Sequence, residues 1–198
     1  MAPRVASEAL KRSVVQFLVE ALLIEAAPAS EWDDAYAFTR SPPIIELKDA
    51  DLDHTDLRGL SLGIASFRGA RLTYANLTGT NIGGKMALAV VQPFDLGEAD
   101  LSFAKLQQTT LQAVNMRAAK LKHADLTSIK MVNAVDLTDA DLSGADLTNA
   151  ELSGVNLTGA IVTENQLNTC KSIRAITMPN GSKYEDWLKD KEDRGEER

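Results

Sequence analysis

Between positions 139 and 152 the chain reads Asp139-Ala140-Asp141-Leu142-Ser143-Gly144-Ala145-Asp146-Leu147-Thr148-Asn149-Ala150-Glu151-Leu152. A small residue, an acid and a leucine return at every fifth position. Neither an α-helix, with its period of 3.6, nor a plain strand, with its period of 2.0, generates that spacing. The same phrase stands far upstream as Asp49-Ala50-Asp51-Leu52 and His54-Thr55-Asp56-Leu57. Self-similarity at a fixed period identifies a repeat architecture, and it decides the fold before any propensity is consulted.

Each repeat has one large apolar residue, which we take as its centre. One frame gives Leu47, Leu52, Leu57, Leu62, Phe67, Leu72, Leu77 and Ile82. The frame then slips by one and resumes at Met86, Val91, Leu96, Leu101, Leu106, Leu111, Met116, Leu121, Leu126 and Met131. A second slip near Asn133 leads to Leu137, Leu142, Leu147, Leu152, Leu157 and Val162, which makes 24 repeats. Two residues before the centre the side chain is mostly small, as at Ala50, Ala70, Ala99, Ala124 and Ala145. Two-residue spacing puts that small residue and the centre on one side of an extended backbone, and the residue between them on the other. The expected core therefore includes Leu52, Leu57, Phe67, Leu101, Leu126, Leu142, Leu147 and Leu152. A five-residue unit that keeps repeating this must turn a corner each time. Four sides close a square coil, so the repeats make about six coils, rising about 29 Å at strand spacing.

The tandem pattern A-(D/N)-L-x-x resembles that of the pentapeptide-repeat proteins, over Ile44 to Val162, about 60% of the chain. The resemblance implies an all-β solenoid, a right-handed quadrilateral β-helix. A handful of larger residues, Ile45, Leu60, Phe94, Ile129 and Val135, break the rule at the small position. Phe94 follows the first slip, so Gly83 to Pro93 reads either as a loop or as a regular side. After the coil, Thr177-Met178-Pro179-Asn180-Gly181 reads as a turn, followed by Tyr184-Glu185-Asp186-Trp187-Leu188 and a charged end. That tail resembles those of cyanobacterial members of the family.

Three regions follow: a helical cap at 1–43, the repeat rod at 44–162 and a tail at 163–198. Ser7 to Ala26 reads as an amphipathic helix with Leu10, Val14, Phe17, Leu18, Ala21, Leu22 and Ile24 on its apolar face. Pro28 ends it, Ser30 and Asp33 start a short second helix with Trp32, Tyr36 and Phe38, and Pro42-Pro43 leads into the coil. A solenoid needs covered ends, and the apolar helix is the natural cover for the first one. Lys11-Arg12 and Ala27-Pro28-Ala29 give the outline of a signal peptide, but Gln16, Glu20 and Glu25 interrupt the apolar run, and a helix of the mature protein is preferred. The same run is too short and too charged to span a bilayer. Cys170 is the lone cysteine, which excludes an intrachain disulfide and fits a reducing compartment. The expected location is cytoplasmic, ahead of a periplasm or thylakoid lumen.

No catalytic, cofactor-binding or metal-ligating residues are assigned. Gly79 to Met86 spells a phosphate-binding loop with Met86 in place of the Ser or Thr that holds magnesium, and no strand-to-helix unit surrounds it. His54 and His123 fall at outward corners about three coils apart, without a third ligand. No Ser-His-Asp or Cys-His set is arranged for nucleophilic attack. The sequons at Asn76 and Asn156 are products of the repeat itself. The 198-residue chain has 28 acidic against 21 basic residues, a net charge of −7, which disfavours direct nucleic-acid binding.

Counting every fourth repeat as one face, Asp56, Asn76, Asp95, Asn115, Asp136 and Asn156 form a candidate interaction surface. Its acids would lie about 10 Å apart, against one charge per about 3.4 Å of a DNA strand. Residues 44–162 hold 14 acids and 10 bases, and Lys105, Arg117, Lys120, Lys122 and Lys130 place a basic patch mid-rod. The preferred reading is a non-enzymatic protein–protein interaction or scaffold protein with an unidentified protein partner; a homodimer is left open, and no cofactor or membrane is called for. The alternative, implied by resemblance to the family's gyrase-protecting members, is a DNA-mimicking modulator of a type II topoisomerase.

Overall fold

The computed structural model describes residues 45–62, 65–83 and 94–194. The helices expected within residues 1–43, and the repeat centres Met86 and Val91, lie outside the described residues.

The chain is a four-sided β-solenoid. Its strands in order are β1 (Ile45–Glu46), β2 (Ser61–Leu62), β3 (Ala65–Ser66), β4 (Asn81–Ile82), β5 (Phe94–Asp95), β6 (Thr110–Gln112), β7 (Val114–Asn115), β8 (Lys130–Val132) and β9 (Glu151–Ser153). Helix α1 (Glu164–Asn168), strand β10 (Ser172–Arg174) and helix α2 (Tyr184–Arg194) complete it. Two stacks are continuous enough to be sheets: β1-β3-β5-β7 on the first face, and β2-β4-β6-β8-β9-β10 on the fourth. Single-residue parallel bridges form the others, Asp51–Arg71–Asp100–Lys120–Asp141–Ile161 on the second face and Asp56–Asn76–Lys105–Asp125–Asp146 on the third.

Each five-residue side follows the same physical logic. The centre's amide donates to the coil above and the outward residue's amide donates to the coil below, as in Leu52 N to Arg71 O (2.8 Å) and Arg71 N to Ala50 O (2.9 Å). The corner is a β-turn closed by the next small residue, as in Thr55 N to Leu52 O at 3.2 Å. The third residue of that turn has positive φ, 59° at His54 and 69° at Gly144, as a type II turn requires. Every described centre from Leu52 to Leu157 is buried, and only Leu47 and Val162 at the ends are half-buried.

The interior is asymmetric. The small positions of the second face are all alanine, Ala50, Ala70, Ala99, Ala119, Ala140 and Ala160, and those of the third are alanine except Thr55. The bulkier Phe94, Val114, Val135, Val155 and Ile176 fall on the first face, and Leu60 and Ile129 on the fourth. β-Branched and aromatic residues favour extended backbone, and the two faces that carry them are the ones with extended sheet. The alanines opposite leave the volume those side chains fill. Phe94 stacks on Phe67 with centroids 5.2 Å apart.

The register shows what the slips do. Successive coils pair 20 residues apart, as in Ile45 with Ala65 and Phe94 with Val114. Across residues 84–93 the spacing becomes 29, as in Ser66 with Asp95 and Asn81 with Thr110. The spacing is nine residues longer than in the other coils, so in the stack the described side that follows Ile82 is the one centred on Leu96. At the second slip Asn133 and Ala134 both take positive φ (56° and 68°), and the spacing from Asn115 to Asp136 is 21. This is a one-residue bulge that leaves the faces in order.

The coil also runs past the expected boundary at Val162. Strand β10 pairs in parallel with β9, Thr177 bridges Asn156, and Ile176 and Met178 are buried. Helix α1 replaces one side of this last coil. Thr163 and Gln166 form its capping box, and the Gln166 amide donates at 2.8 Å to the carbonyls of Leu142 and Ala145, satisfying acceptors at the end of the coil. Helix α2 then packs Tyr184 and Trp187 against the core.

Candidate interaction surface

The outward Asp or Asn before each centre has a local task. Its side-chain oxygen accepts the amide two residues on, in the corner: Gly97 to Asp95 (2.8 Å), Ser102 to Asp100 (3.0 Å), Thr148 to Asp146 (2.9 Å), Thr158 to Asn156 (3.1 Å). These are Asx turns, and they satisfy an amide that the coil-to-coil ladder leaves over. The Asp141 and Asp146 carboxyls are held below the usual carboxylate range, chiefly by hydrogen bonds from the Ser143 and Thr148 side chains respectively.

The six residues expected to share a face do not. Asp56 and Asn76 lie on the third face, where the next rungs are Lys105, Asp125 and Asp146. Asp95, Asn115, Asp136 and Asn156 lie on the first. Counting every fourth repeat through Met86 and Val91 adds two sides and so carries the line of acids across to the opposite wall. All six are half-buried. Those on the first face form a hydrogen-bonded ladder: the Asn115 amide donates to Asp95 at 2.8 Å and the Asn156 amide to the Thr138 hydroxyl at 3.0 Å. The Asp136 carboxylate accepts the Thr138 amide (3.0 Å) and hydroxyl (2.5 Å), with Arg117 at 3.3 Å.

The mid-rod bases wrap around the rod instead of forming one patch. Lys105 is on the third face, Lys120 on the second and Lys130 on the fourth. Arg117 pairs with Asp136 at 3.3 Å, Lys122 with Asp141 at 3.0 Å and Lys120 with Asp100 at 3.7 Å. The second face is the one with a regular charge pattern: Asp51, Arg71, Asp100, Lys120 and Asp141 alternate in sign on successive rungs.

A feature the sequence reading passed over lies on the corner between the second and third faces. His54, Tyr74, Phe103 and His123 occupy equivalent turn positions, all at positive φ between 55° and 60°. Their rings stack along the rod, with centroids 5.1, 4.9 and 5.1 Å apart and interplanar angles of 5°, 11° and 18°. Tyr74 and Phe103 remain 51% and 43% exposed. The two histidines therefore close the ends of an aromatic stack. Among the described residues no group of three or more His, Cys, Asp or Glu is placed to hold a metal. The signal was present in the sequence as aromatic rings two positions after a centre, but the interval of 29 between Tyr74 and Phe103 hid it.

The remaining candidates resolve into structural roles. Gly79 is a corner residue with φ of 68°, and Asn81–Ile82 within the loop-like motif is strand β4, not a helix start. A cleft of about 330 Å³ lies beside α2, lined by Val162, Leu167, Met178, Trp187, Lys191 and Arg194. Within the cleft Lys191 pairs with Glu164 at 2.6 Å and lies 4.8 Å from the Trp187 ring centroid. No helix among the described residues is long and apolar enough to cross a membrane.

Comparison with known families agrees with this geometry. The sequence profile described as pentapeptide repeats matches residues 45–84, 95–131 and 133–164, in eight copies. Its gaps fall at the insertion and near the bulge. These segments make up more than half of the chain, and the chain belongs to the pentapeptide-repeat family. Among solved structures, it is similar to the pentapeptide repeat protein Rfr23 of the cyanobacterium Cyanothece 51142, at 25% identity over 56% of this chain and 78% of that one, with a TM-score of 0.32. It is also similar to HetL of Nostoc sp. strain PCC 7120, a pentapeptide repeat protein involved in heterocyst differentiation regulation, at 27% identity over 70% and 68%, TM-score 0.34. QnrB1, a plasmid-mediated fluoroquinolone resistance protein, matches at 16% identity over 59% and 55%, TM-score 0.35. No curated protein sequence matches the chain significantly.

Proposed function

We propose that this protein is a non-enzymatic interaction module, a rigid rod whose exposed surface docks another protein. The observation that carries this reading is the aromatic corner. A turn residue with positive φ favours Gly, Asn or Asp, and a bulky residue there is a costly choice. The rod meets the requirement with Gly59, Gly79 and Gly159 at other corners, yet on this one it places Tyr74 and Phe103 in the open. Exposed aromatic rings of restricted freedom are the side chains most often found at the centres of protein interfaces. The geometry counts further against the DNA-mimic alternative, because Asp56 lies on the opposite face from Asp95 and Asp136, and all three accept turn amides.

The test is comparative capture from an extract of the source organism, with immobilised wild-type protein beside a Tyr74→Ser/Phe103→Ser variant that keeps its melting temperature. A specific partner retained by the wild type and lost by the variant is the expected result. Equal capture by both would remove the aromatic corner from the reading. Inhibition or protection of gyrase in a supercoiling assay would favour the mimic instead.

A further inference from the structure

We propose that the second face, with the aromatic corner along its edge, docks onto a second copy of this chain in an antiparallel arrangement. This rests on the interaction reading above and names the occupant of the same surface. Asp51, Arg71, Asp100 and Lys120 alternate in sign over four successive rungs. Let a second copy be turned end over end about a two-fold axis that crosses the face between Arg71 and Asp100. Asp51 then faces Lys120 of the second copy, and Arg71 faces Asp100 of the second copy. An even run of alternating charges is its own complement under that rotation, so all four rungs meet the opposite sign.

The same rotation brings the aromatic corner onto itself. Read in reverse, His54, Tyr74, Phe103 and His123 become His123, Phe103, Tyr74 and His54, so histidine meets histidine at the ends and tyrosine meets phenylalanine in the middle. An isologous two-fold contact demands this self-complementarity. A parallel pairing of the same faces would instead set every charge against its own kind, which interfaces avoid.

No other face carries four successive rungs of alternating charge. Reversal of the third sets Asp56 against Asp125 of the second copy. The first has no cation among Ser66, Asp95, Asn115, Asp136 and Asn156, and in the strands of the fourth the charged residues are Lys130, Glu151 and Arg174. Arg71 and Lys120 are also accessible, with side chains 61% and 59% exposed. Each has a neighbour on its own rod, Asp53 for Arg71 and Asp100 for Lys120. Guanidinium and ammonium groups carry further donors beyond one such contact. Four rungs span about 15–20 Å, so the contact belongs to the small, reversible class, below about 1,200 Å². Its affinity is weak and depends on salt.

Sedimentation equilibrium of the full chain at roughly 10–500 µM, within the range where small interfaces associate, reads this directly. The expected result is a monomer–dimer equilibrium that weakens when salt is raised. Arg71→Glu should weaken it by about tenfold or more, because two like-charge contacts replace two opposite ones. The double variant Arg71→Glu/Asp100→Lys then restores it. Its row reads minus, minus, plus, plus, which still pairs opposite signs on reversal while creating repulsion between neighbours along the rod. That difference separates contact between copies from stabilisation within one rod. Asp100 also accepts the Ser102 amide, so the double variant melts lower, and association is the quantity to read. Failure of the double variant to regain association would overturn the proposal, as would a dimer indifferent to both Arg71→Glu and Tyr74→Ser/Phe103→Ser. A monomer at every concentration would overturn it too and leave the partner-capture test of the interaction reading standing.

Discussion

The carboxylate of Asp146 accepts the backbone amide of Thr148 at 2.9 Å, so an outward side chain closes the corner that follows it. This gives the Asp or Asn of the repeat a structural reason: the amide it satisfies has no partner in the coil-to-coil ladder. Asp146→Asn keeps the accepting oxygen and should be nearly neutral. Asp146→Ala leaves the amide to water and should cost about 1 kcal/mol, read as a lower melting temperature. The Asp146 carboxyl is held below its ordinary range, first by the Thr148 hydroxyl and then by the Thr148 amide. A depressed folded pKa stabilises the fold above the unfolded value, near 3.9, and this contribution is lost as pH falls through the lower, folded value. Melting between pH 6 and pH 2 should therefore show an acid-side loss, smaller in Asp146→Asn than in the wild type.

Ala145, one residue earlier, faces the axis at 4% exposure beside Leu147 at 2%. The second and third faces supply alanine at nearly every small position, so no room is held in reserve there. Ala145→Leu should cost about 1–3 kcal/mol by overpacking. Equal losses for Ala145→Leu and Asp146→Asn would reverse the assignment of inward and outward positions.

The four-sided coil was legible because inward positions obey a strict local rule. A leucine every fifth residue with alanine two before it admits few other readings, and Leu52, Leu57, Phe67, Leu101, Leu126, Leu142, Leu147 and Leu152 are all buried as that rule requires. The rung-to-rung neighbours were not legible, since they depend on how many residues each coil consumes. Met86 and Val91 keep the five-residue rhythm in sequence, yet Ser66 pairs with Asp95, 29 residues on, where Ile45 pairs with Ala65, 20 residues on. That one count moved Asp95 to the opposite wall from Asn76 and concealed the stacking of Phe103 on Tyr74. The end of the coil was misplaced for a related reason: helix α1 breaks the rhythm, although β10 continues the sheet.

Gly144 sits on the rung after His123, and a Cβ built on it would lie 2.5 Å from the His123 Nδ1. Gly79, at an equivalent corner with φ of 68°, has nothing within 4 Å of such a Cβ. Gly79→Ala should therefore cost only the left-handed backbone penalty, about 1–2 kcal/mol. Gly144→Ala should cost more, because His123 must leave its stack on Phe103. A double-mutant cycle measures the difference: the excess should vanish in a His123→Ala background. An unchanged excess there would mean that the glycine serves something other than the aromatic stack.

Burial pushes the Cys170 thiol up to about 11. At pH 8 almost none of it is thiolate, and the thiolate is the reactive form. Alkylation of the native protein should be much slower than that of a free thiol at pH 8, and should accelerate steadily towards pH 10. Rapid stoichiometric labelling at neutral pH would show that the last coil opens, and melting in mild denaturant would then be expected to begin there.

Helix α2 closes the far end of the rod. Strand β10 is the last rung of its sheet, and the chain turns back after it: Thr177 pairs antiparallel with Lys183, and Tyr184 and Trp187 pack on the core beside the buried Leu167 and Met178. Lys191 fixes the helix in place, only 9% exposed, with its ammonium 2.6 Å from Glu164 on α1 and 4.8 Å from the Trp187 ring centroid. A solenoid end without such a cover presents both apolar side chains and an open strand edge, the two surfaces through which repeat proteins aggregate. Deleting residues 184–198 should therefore lower the melting temperature and produce concentration-dependent aggregates. Lys191→Ala keeps the helix but removes its tether, and should cost about 1–2 kcal/mol, more than an exposed ion pair, because the stem is buried as well. Light scattering during a thermal ramp distinguishes the two variants. A truncated protein that stays monodisperse and melts at the wild-type temperature would show that the last coil is self-sufficient and that α2 covers nothing the rod needs covered.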